Sequence, residues 1–344
     1  MTQSDQNAAH AASDDAAQWT RILNNYRDPR FGRSLFEIAV TLVPFVALWV
    51  MSWAAIQTGY WWTLPVLWLV AALFQVRLFL IQHDCGHGSF FRNRKLNDWI
   101  GRCLGVLTLT PYDFWRRSHA LHHASTGHLD RRGFGDIDTL TVREFKELPF
   151  GGRLKYRLYR HPLVLFGIGP AYLFILRQRI PVGLIGSPPS AWFSTMATNA
   201  AIVGVVGGVI WLVGWQSFLL VQLPITALAG SIGVWLFYVQ HQFEDTVWAR
   251  EGDWDLHEAA LHGSSHYDLP KVLRWFTANI GVHHVHHLCS RIPYYNLQKV
   301  LREHPDLSQV SRLTLFESFR CVRLVLWCEE QRQLISFRDA RAMA

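Results

Sequence analysis

Ten of the chain's 17 histidines fall in four tight places. His83 and His87 stand in HDCGH, His119, His122 and His123 in HALHH, His241 in YVQHQFED, and His283, His284, His286 and His287 in HHVHH. Spacings of three and four residues put side chains on one helical face, so each cluster can aim two or three imidazoles at one point. Imidazole is a ligand for zinc, copper, iron and nickel. A closed structural zinc site takes four ligands. HxxxH, HxxHH and HxxHH supply eight nitrogens and His241 a ninth, enough for two metal ions with positions left open. One such pair alone reads as hydrogen-bonding histidines at a membrane surface, but three clusters on one side do not. A solvated histidine tract would be contiguous and of low complexity, and these boxes are not. A pair of redox-silent zincs would perform hydrolysis, for which Asp84 is the one strong general-base candidate. Redox iron acting on a buried lipid chain explains why the boxes hang from apolar segments.

The elements that position the boxes follow from where charge is missing. Of 344 residues only 17% are charged, against about 25% in an average soluble domain. From Ser34 to Val76 the only charged side chain is Glu37, and from Ile180 to Ala249 there are only Glu244 and Asp245. Crossing a bilayer takes about 20 mostly apolar residues, and four stretches meet that: about 36–57, 61–82, 195–213 and 216–238. They pair into two hairpins whose turns, near Thr58–Tyr60 and Gly214–Trp215, carry no charge. Arg21, Arg27, Arg30 and Arg33 precede the first span, and many Lys and Arg follow the second and fourth. By the positive-inside rule both termini and the middle segment are cytoplasmic, and every box then lies on that side. The surplus of 33 Lys+Arg over 26 Asp+Glu reads as topology and attraction to anionic headgroups, not as nucleic-acid binding.

Residues 162–176 are too few to cross: 15 residues at about 1.5 Å rise span about 22 Å of a core about 30 Å thick. That run and residues 100–109 read as interfacial. The expected fold is an all-α integral membrane protein: four transmembrane helices in two hairpins, with cytoplasmic and interfacial helices carrying the histidines. Residues 1–35 are expected as a polar cytoplasmic tail, 36–305 as the membrane domain and 306–344 as a helical cytoplasmic tail. Asp5, Asp14 and Asp15 ahead of the first Arg fit neither a signal nor a transit peptide. Five cysteines without C-x-x-C spacing suggest neither disulfides nor a cysteine-held metal.

HDCGHGSFF, TPYDFWRRSHALHHASTGHLDRRGFGDIDTLTVREF, WLFYVQHQFED and HGSSHYDLPKVLRWFTANIGVHHVHHLCSRIPYYNLQ resemble the membrane-bound fatty-acid desaturases of the histidine-box type, in particular bacterial and plastid-type acyl-lipid desaturases. The resemblance runs from about residue 36 to about residue 305. It implies a non-heme diiron centre held by His83, His87, His119, His122, His123, His283, His286 and His287, with His241 as ninth ligand and His284 a spectator or outer-sphere group. Animal acyl-CoA desaturases place an asparagine one turn before the histidine that corresponds to His241; this chain has Phe237 there. The implied reaction uses O2 to introduce a cis double bond into the acyl chain of a membrane lipid, with the delta-12/omega-6 position as one expectation, in a bacterial inner membrane.

Two electrons per turnover must come from an external carrier such as ferredoxin with its reductase, since the chain has no flavin, NAD or cluster fingerprint. His161-Pro162-Leu163 and His304-Pro305-Asp306 are not HPGG motifs, so no heme-binding cytochrome b5 domain is expected. Arg143, Lys146, Arg153, Lys155 and Arg157 read as a phospholipid-facing surface or as a dock for an acidic carrier. Ligating imidazoles normally donate their other N–H to a carboxylate or carbonyl; Asp84, Asp136, Asp138, Glu244, Asp245 and Asn279 are the candidates. Histidine-box hydroxylases and ketolases share the same chemistry and stand as the alternative. From other classes, a metalloprotease built on His83, Asp84 and His87 leaves the remaining boxes unexplained, and a heme or metal-transport protein wants histidines opposed within spans. Substrate-binding residues and oligomeric state are left open.

Overall fold

The computed structural model describes residues 18–133, 135–181 and 189–343; the expectations for residues 1–17 lie outside it. Four helices are long and apolar enough to cross a membrane: Phe31–Thr58, Trp61–His87, Ala191–Val213 and Trp215–His241. They coincide with the four expected stretches and extend the second and fourth through His87 and His241.

The first hairpin pairs α1 (Phe31–Thr58) with α2 (Leu64–His87). α1 ends at Gly59 and α2 at Gly88, both in the left-handed conformation, where glycine carries no Cβ penalty. Gly88 N–H returns to the Asp84 and Cys85 carbonyls, which ends α2 one residue after its second box histidine. α3 (Arg94–Leu107), capped by the Asn93 side chain, and α4 (Tyr112–Ser125), which carries HALHH, follow. Gly101 of α3 lies so close to the Tyr112 ring that a Cβ there would clash with it, so this glycine sets the approach of α3 to the box helix.

The short strand β1 (Leu140–Thr141) and α5 (Phe150–Tyr159) lead to the apolar run expected at 162–176, which forms a π-helical turn, Val164–Ile168, continued by α6 (Gly169–Ile175). The second hairpin is α7 (Pro189–Val213) and α8 (Trp215–His241). α2 is the hub of the membrane part, packed on α1, α3 and α8, with Leu78, Ile81, Val221 and Ile225 fully buried. The apolar window of α7 is only 6% buried against 56% for that of the second span, so α7 turns almost all of its surface to lipid.

Past α8 come α9 (Leu256–His262), β2 (His266–Asp268), α10 (His283–Leu288), which carries HHVHH, and α11 (Tyr294–Glu303). The segment expected as a helical tail is helical only in part, at Leu315–Ser318 and Phe337–Ala342 among others, and also holds strands. It contains β3 (Arg312–Thr314), parallel to β2, and β4 (Leu326–Cys328), which runs parallel to β1 and antiparallel to β5 (Gln333–Ile335). All three β4 residues are buried, and this apolar run satisfies its backbone against β1. Arg160, itself buried, donates to the Leu324 carbonyl, Gln242 Oε1 and the Tyr238 hydroxyl. The C-terminal segment is therefore clasped to the base of α8.

Candidate metal centre

Four elements converge on the site: the last turns of α2 and α8, together with α4 and α10. Adjacent residues on a helix point about 100° apart, so an HH dipeptide cannot aim both rings at one point. The structure resolves this by dividing the two boxes that contain HH pairs, while His83 and His87 stay together. His83, His87, His119, His123 and His286 form one group, and His122, His241, His283 and His287 the other, with donor atoms within 4.8 Å of one another in each. HALHH sends its i,i+4 pair to the first group and His122 to the second; HHVHH sends its i,i+4 pair to the second and His286 to the first.

The nitrogens that face each other are Nε2. In the first group His119 lies 3.0 Å from His87 and 3.1 Å from His123, and His87 is 3.3 Å from His83. In the second, His241 lies 3.1 Å from His122 and 3.0 Å from His283, and His283 is 3.1 Å from His287. A neutral imidazole nitrogen is a donor or an acceptor, not both, so the Nε2 of His119, His241 or His283 cannot hydrogen-bond to both of its neighbours. A cation about 2.1 Å from each nitrogen, with ligands at right angles, places neighbouring nitrogens about 3.0 Å apart. The donor set therefore fits a metal ion at each group. Burial, with neighbouring imidazoles adding to it, holds His119, His123, His283, His286 and His287 well below the ordinary imidazole pKa. They are neutral at neutral pH, the protonation state that binds metal.

Of the expected outer partners, two carboxylates meet a box histidine. Asp136 accepts from His122 Nδ1, and Asp84 Oδ1 lies 3.4 Å from His83 Nδ1. Asp138, two residues beyond Asp136, makes no hydrogen bond to a box histidine and is held through its backbone, its N–H donating to the Tyr159 hydroxyl. Its carbonyl accepts from Tyr156 and Arg160. Glu244 and Asp245 follow the end of α8 and are exposed, and Asn279 donates to the Tyr294 carbonyl at 3.1 Å. None of these four side chains bonds to a box histidine. His284 lies outside both groups, fully buried, with Nε2 donating to the Leu307 carbonyl at 2.8 Å. It anchors α10 to the segment beyond α11.

Two participants carried no chemical signal in the sequence, and a third, Phe237, stood out there only for the asparagine it replaces. The Gly263 carbonyl accepts from His241 Nδ1 at 3.2 Å; a backbone oxygen leaves no trace in residue type. The Trp115 ring stacks on His119 with centroids 4.7 Å apart and planes at 17°, and its i,i+4 spacing from His119 was readable. A Cβ at Gly86 would come 2.8 Å from that indole, so glycine inside the first box makes room for it. Phe237, one turn before His241, packs its ring 5.0 Å from His122 and 5.2 Å from His241. With Ile137 and Trp248 it lines a cavity beside the second group, so that side offers aromatic surface where a donor could have stood.

Residues 60–319 match the family model described as fatty acid desaturase. The chain belongs to the fatty acid desaturase family. A Bacillus subtilis fatty acid desaturase is 43% identical over 321 residues, 93% of this chain and 90% of that protein. A Synechocystis protein named sn-1 acyl-lipid omega-3 desaturase (ferredoxin) is 32% identical over 252 residues, 70% of this chain and 66% of its own length. An Arthrospira platensis sn-1 oleoyl-lipid 12-desaturase is 25% identical over 294 residues, 80% and 78% of the two chains. This desaturase is thus a membrane oxidoreductase of lipid metabolism, and its histidine groups lie within the matched region.

Proposed function

We propose that His83, His87, His119, His123 and His286 hold one iron ion and His122, His241, His283 and His287 a second, and that the protein uses them to place a cis double bond in the acyl chain of a membrane lipid. The observation that carries this reading is the division of nine converging imidazoles into sets of five and four. Neither set fills six positions, and imidazole suits redox iron. Bound iron supplies the O2-consuming oxidation that removes hydrogen from two adjacent unactivated carbons, chemistry beyond any side-chain acid or base at neutral pH. Each double bond consumes one O2, two electrons and two protons and yields two waters.

The chain's own residues hold, orient and exclude. Asp136 and the Gly263 carbonyl accept hydrogen bonds from the Nδ1–H groups of His122 and His241 and leave Nε2 as the ligand atom. Phe237, Ile137 and Trp248 give the second set an apolar neighbour that keeps water away. With both termini and the site on the cytoplasmic face of a bacterial inner membrane, as the flanking arginines favour, electrons arrive from a soluble carrier. The Synechocystis relative is named for ferredoxin, which supports a carrier of that type with its reductase. Arg153 and Lys155 on α5 are exposed for such a dock, while Arg143 approaches Glu329 and Arg157 lies over Phe145 and Phe337.

The test is expression in a host lacking polyunsaturated lipids, with mass spectrometry locating new double bonds, alongside metal analysis and an optical spectrum of the purified protein. The expected result is a new cis bond, at the delta-12/omega-6 position, from protein holding two irons and no Soret band. Hydroxylated or keto lipids would move the protein to the hydroxylase or ketolase branch. One zinc or a heme band would overturn the diiron reading.

A further inference from the structure

Two buried charges sit inside the apolar spans and take no part in the chemistry above. Glu37 of α1 is 1% exposed and Arg77 of α2 is 2% exposed, and Arg77 Nη2 lies 2.5 Å from Glu37 Oε2. Charges inside spans are costly and tend to mark function. The Arg77 guanidinium lies 4.1 Å from the Trp275 ring centroid and donates to the Trp275 carbonyl and, at 3.2 Å, to Thr41 Oγ1. Asp84 is seven residues after Arg77, two helical turns and about 10 Å along the same face of α2.

Tyr294, the first residue of α11, bridges that gap. Its hydroxyl donates to Glu37 Oε2 at 3.0 Å and lies 3.4 Å from Arg77 Nη2. Its backbone N–H donates to Asp84 Oδ2 at 2.7 Å, so Asp84 receives one of the free donors at the start of α11, where a carboxylate is favoured. The other Asp84 oxygen faces His83 Nδ1. Phe90 stacks against the Tyr294 ring at 6.0 Å and 25°, and Asn279 holds its carbonyl. Asn279, expected beside a metal ligand, instead supports the residue that supports Asp84.

We propose that Tyr294 is a positioning residue for the first metal group: it transmits the fixed location of the Arg77–Glu37 pair to Asp84, which sets the ring of His83. This rests on the iron reading above. A pair that only stapled α1 to α2 would need no contact with Asp84, whereas here one residue touches both.

The test is a double-mutant cycle on full-length, iron-loaded protein, using Tyr294→Phe, Asp84→Asn and the double variant, with the rate of iron loss to a ferrous chelator as readout. Tyr294→Phe removes one hydroxyl and leaves the backbone bond to Asp84. Outer partners of metal ligands are worth about 10- to 100-fold in metal affinity. Each single variant is expected to release one of the two irons roughly tenfold faster, and the double variant no faster than Asp84→Asn alone. Should Tyr294→Phe not accumulate, Asn279→Gly, which releases the same residue from its carbonyl side, enters the cycle with the same expectation. Effects that multiply in the double variant, or a single-variant rate within twofold of wild type, would overturn the positioning role and leave the diiron reading intact. Wild-type protein that binds no iron would overturn both.

Discussion

Asp136→Asn is the sharpest probe of the second metal group. The Asp136 side chain is only 9% exposed and accepts from His122 Nδ1. Asparagine keeps the shape and one acceptor oxygen but removes the charge, so a charge-assisted bond worth about 1.5–3 kcal/mol becomes a neutral one worth about 0.5–1.5 kcal/mol. The difference, roughly 1–1.5 kcal/mol, is about a five- to twelvefold loss of affinity at about 1.4 kcal/mol per decade, at the lower edge of what outer partners usually contribute. Asp138→Asn is the internal control. It lies two residues away in the same GDID run, and its carboxylate meets no box histidine. Iron retained after a chelator challenge, measured by elemental analysis beside lipid desaturation in cells, separates the two: Asp136→Asn loses close to one iron per chain, and Asp138→Asn keeps two. Equal retention in both variants, or equal loss, would refute the assignment of Asp136 as the partner that orients His122.

The division of the boxes yields a stoichiometric prediction. His286→Ala and His283→Ala both abolish desaturation while the protein still inserts, and each leaves about one iron, held by the opposite group; a variant that retains both would break the partition. His284→Ala keeps both irons and lowers Tm instead, since the Leu307 carbonyl loses its buried donor at a cost of about 1–3 kcal/mol; thermal melts with metal analysis distinguish the outcomes. Gly86→Ala pushes a methyl against the Trp115 indole, displacing the ring from His119 and lowering activity more than it lowers Tm; unchanged activity would show that the stacking is dispensable. Chelating the metal lowers Tm by mass action, as loss of a ligand held at about 100 times its Kd costs about 2.7 kcal/mol, and re-adding ferrous iron restores it. An unchanged Tm would mean that the histidine groups are stable without a cation.

Much of this protein is legible in one dimension because lipid and helix geometry act locally. A bilayer rejects charge residue by residue, so the bare stretches mark their spans without reference to anything else in the chain. His83 and His87 share a face by spacing alone, and so do His119 and His123. Long-range contacts decide the rest. Spacing cannot say that His122 leaves its box to join His241, His283 and His287, because that depends on where α8 and α10 end relative to α4. Nor can it choose Asp136 over Asp138, since a two-residue difference matters only once this loop is laid against a particular ring. β3 and β4 find partners at β2 and β1, more than 40 residues away in sequence, pairings that no local propensity encodes. Tyr294 looks like an ordinary aromatic until α11 sets its amide against Asp84 and its hydroxyl against Glu37. Residue type and spacing thus determined which histidines exist and on which faces they stand. Only the packed structure decided how they divide into two groups and which neighbours hold them, because those are distances between segments that meet only in the fold.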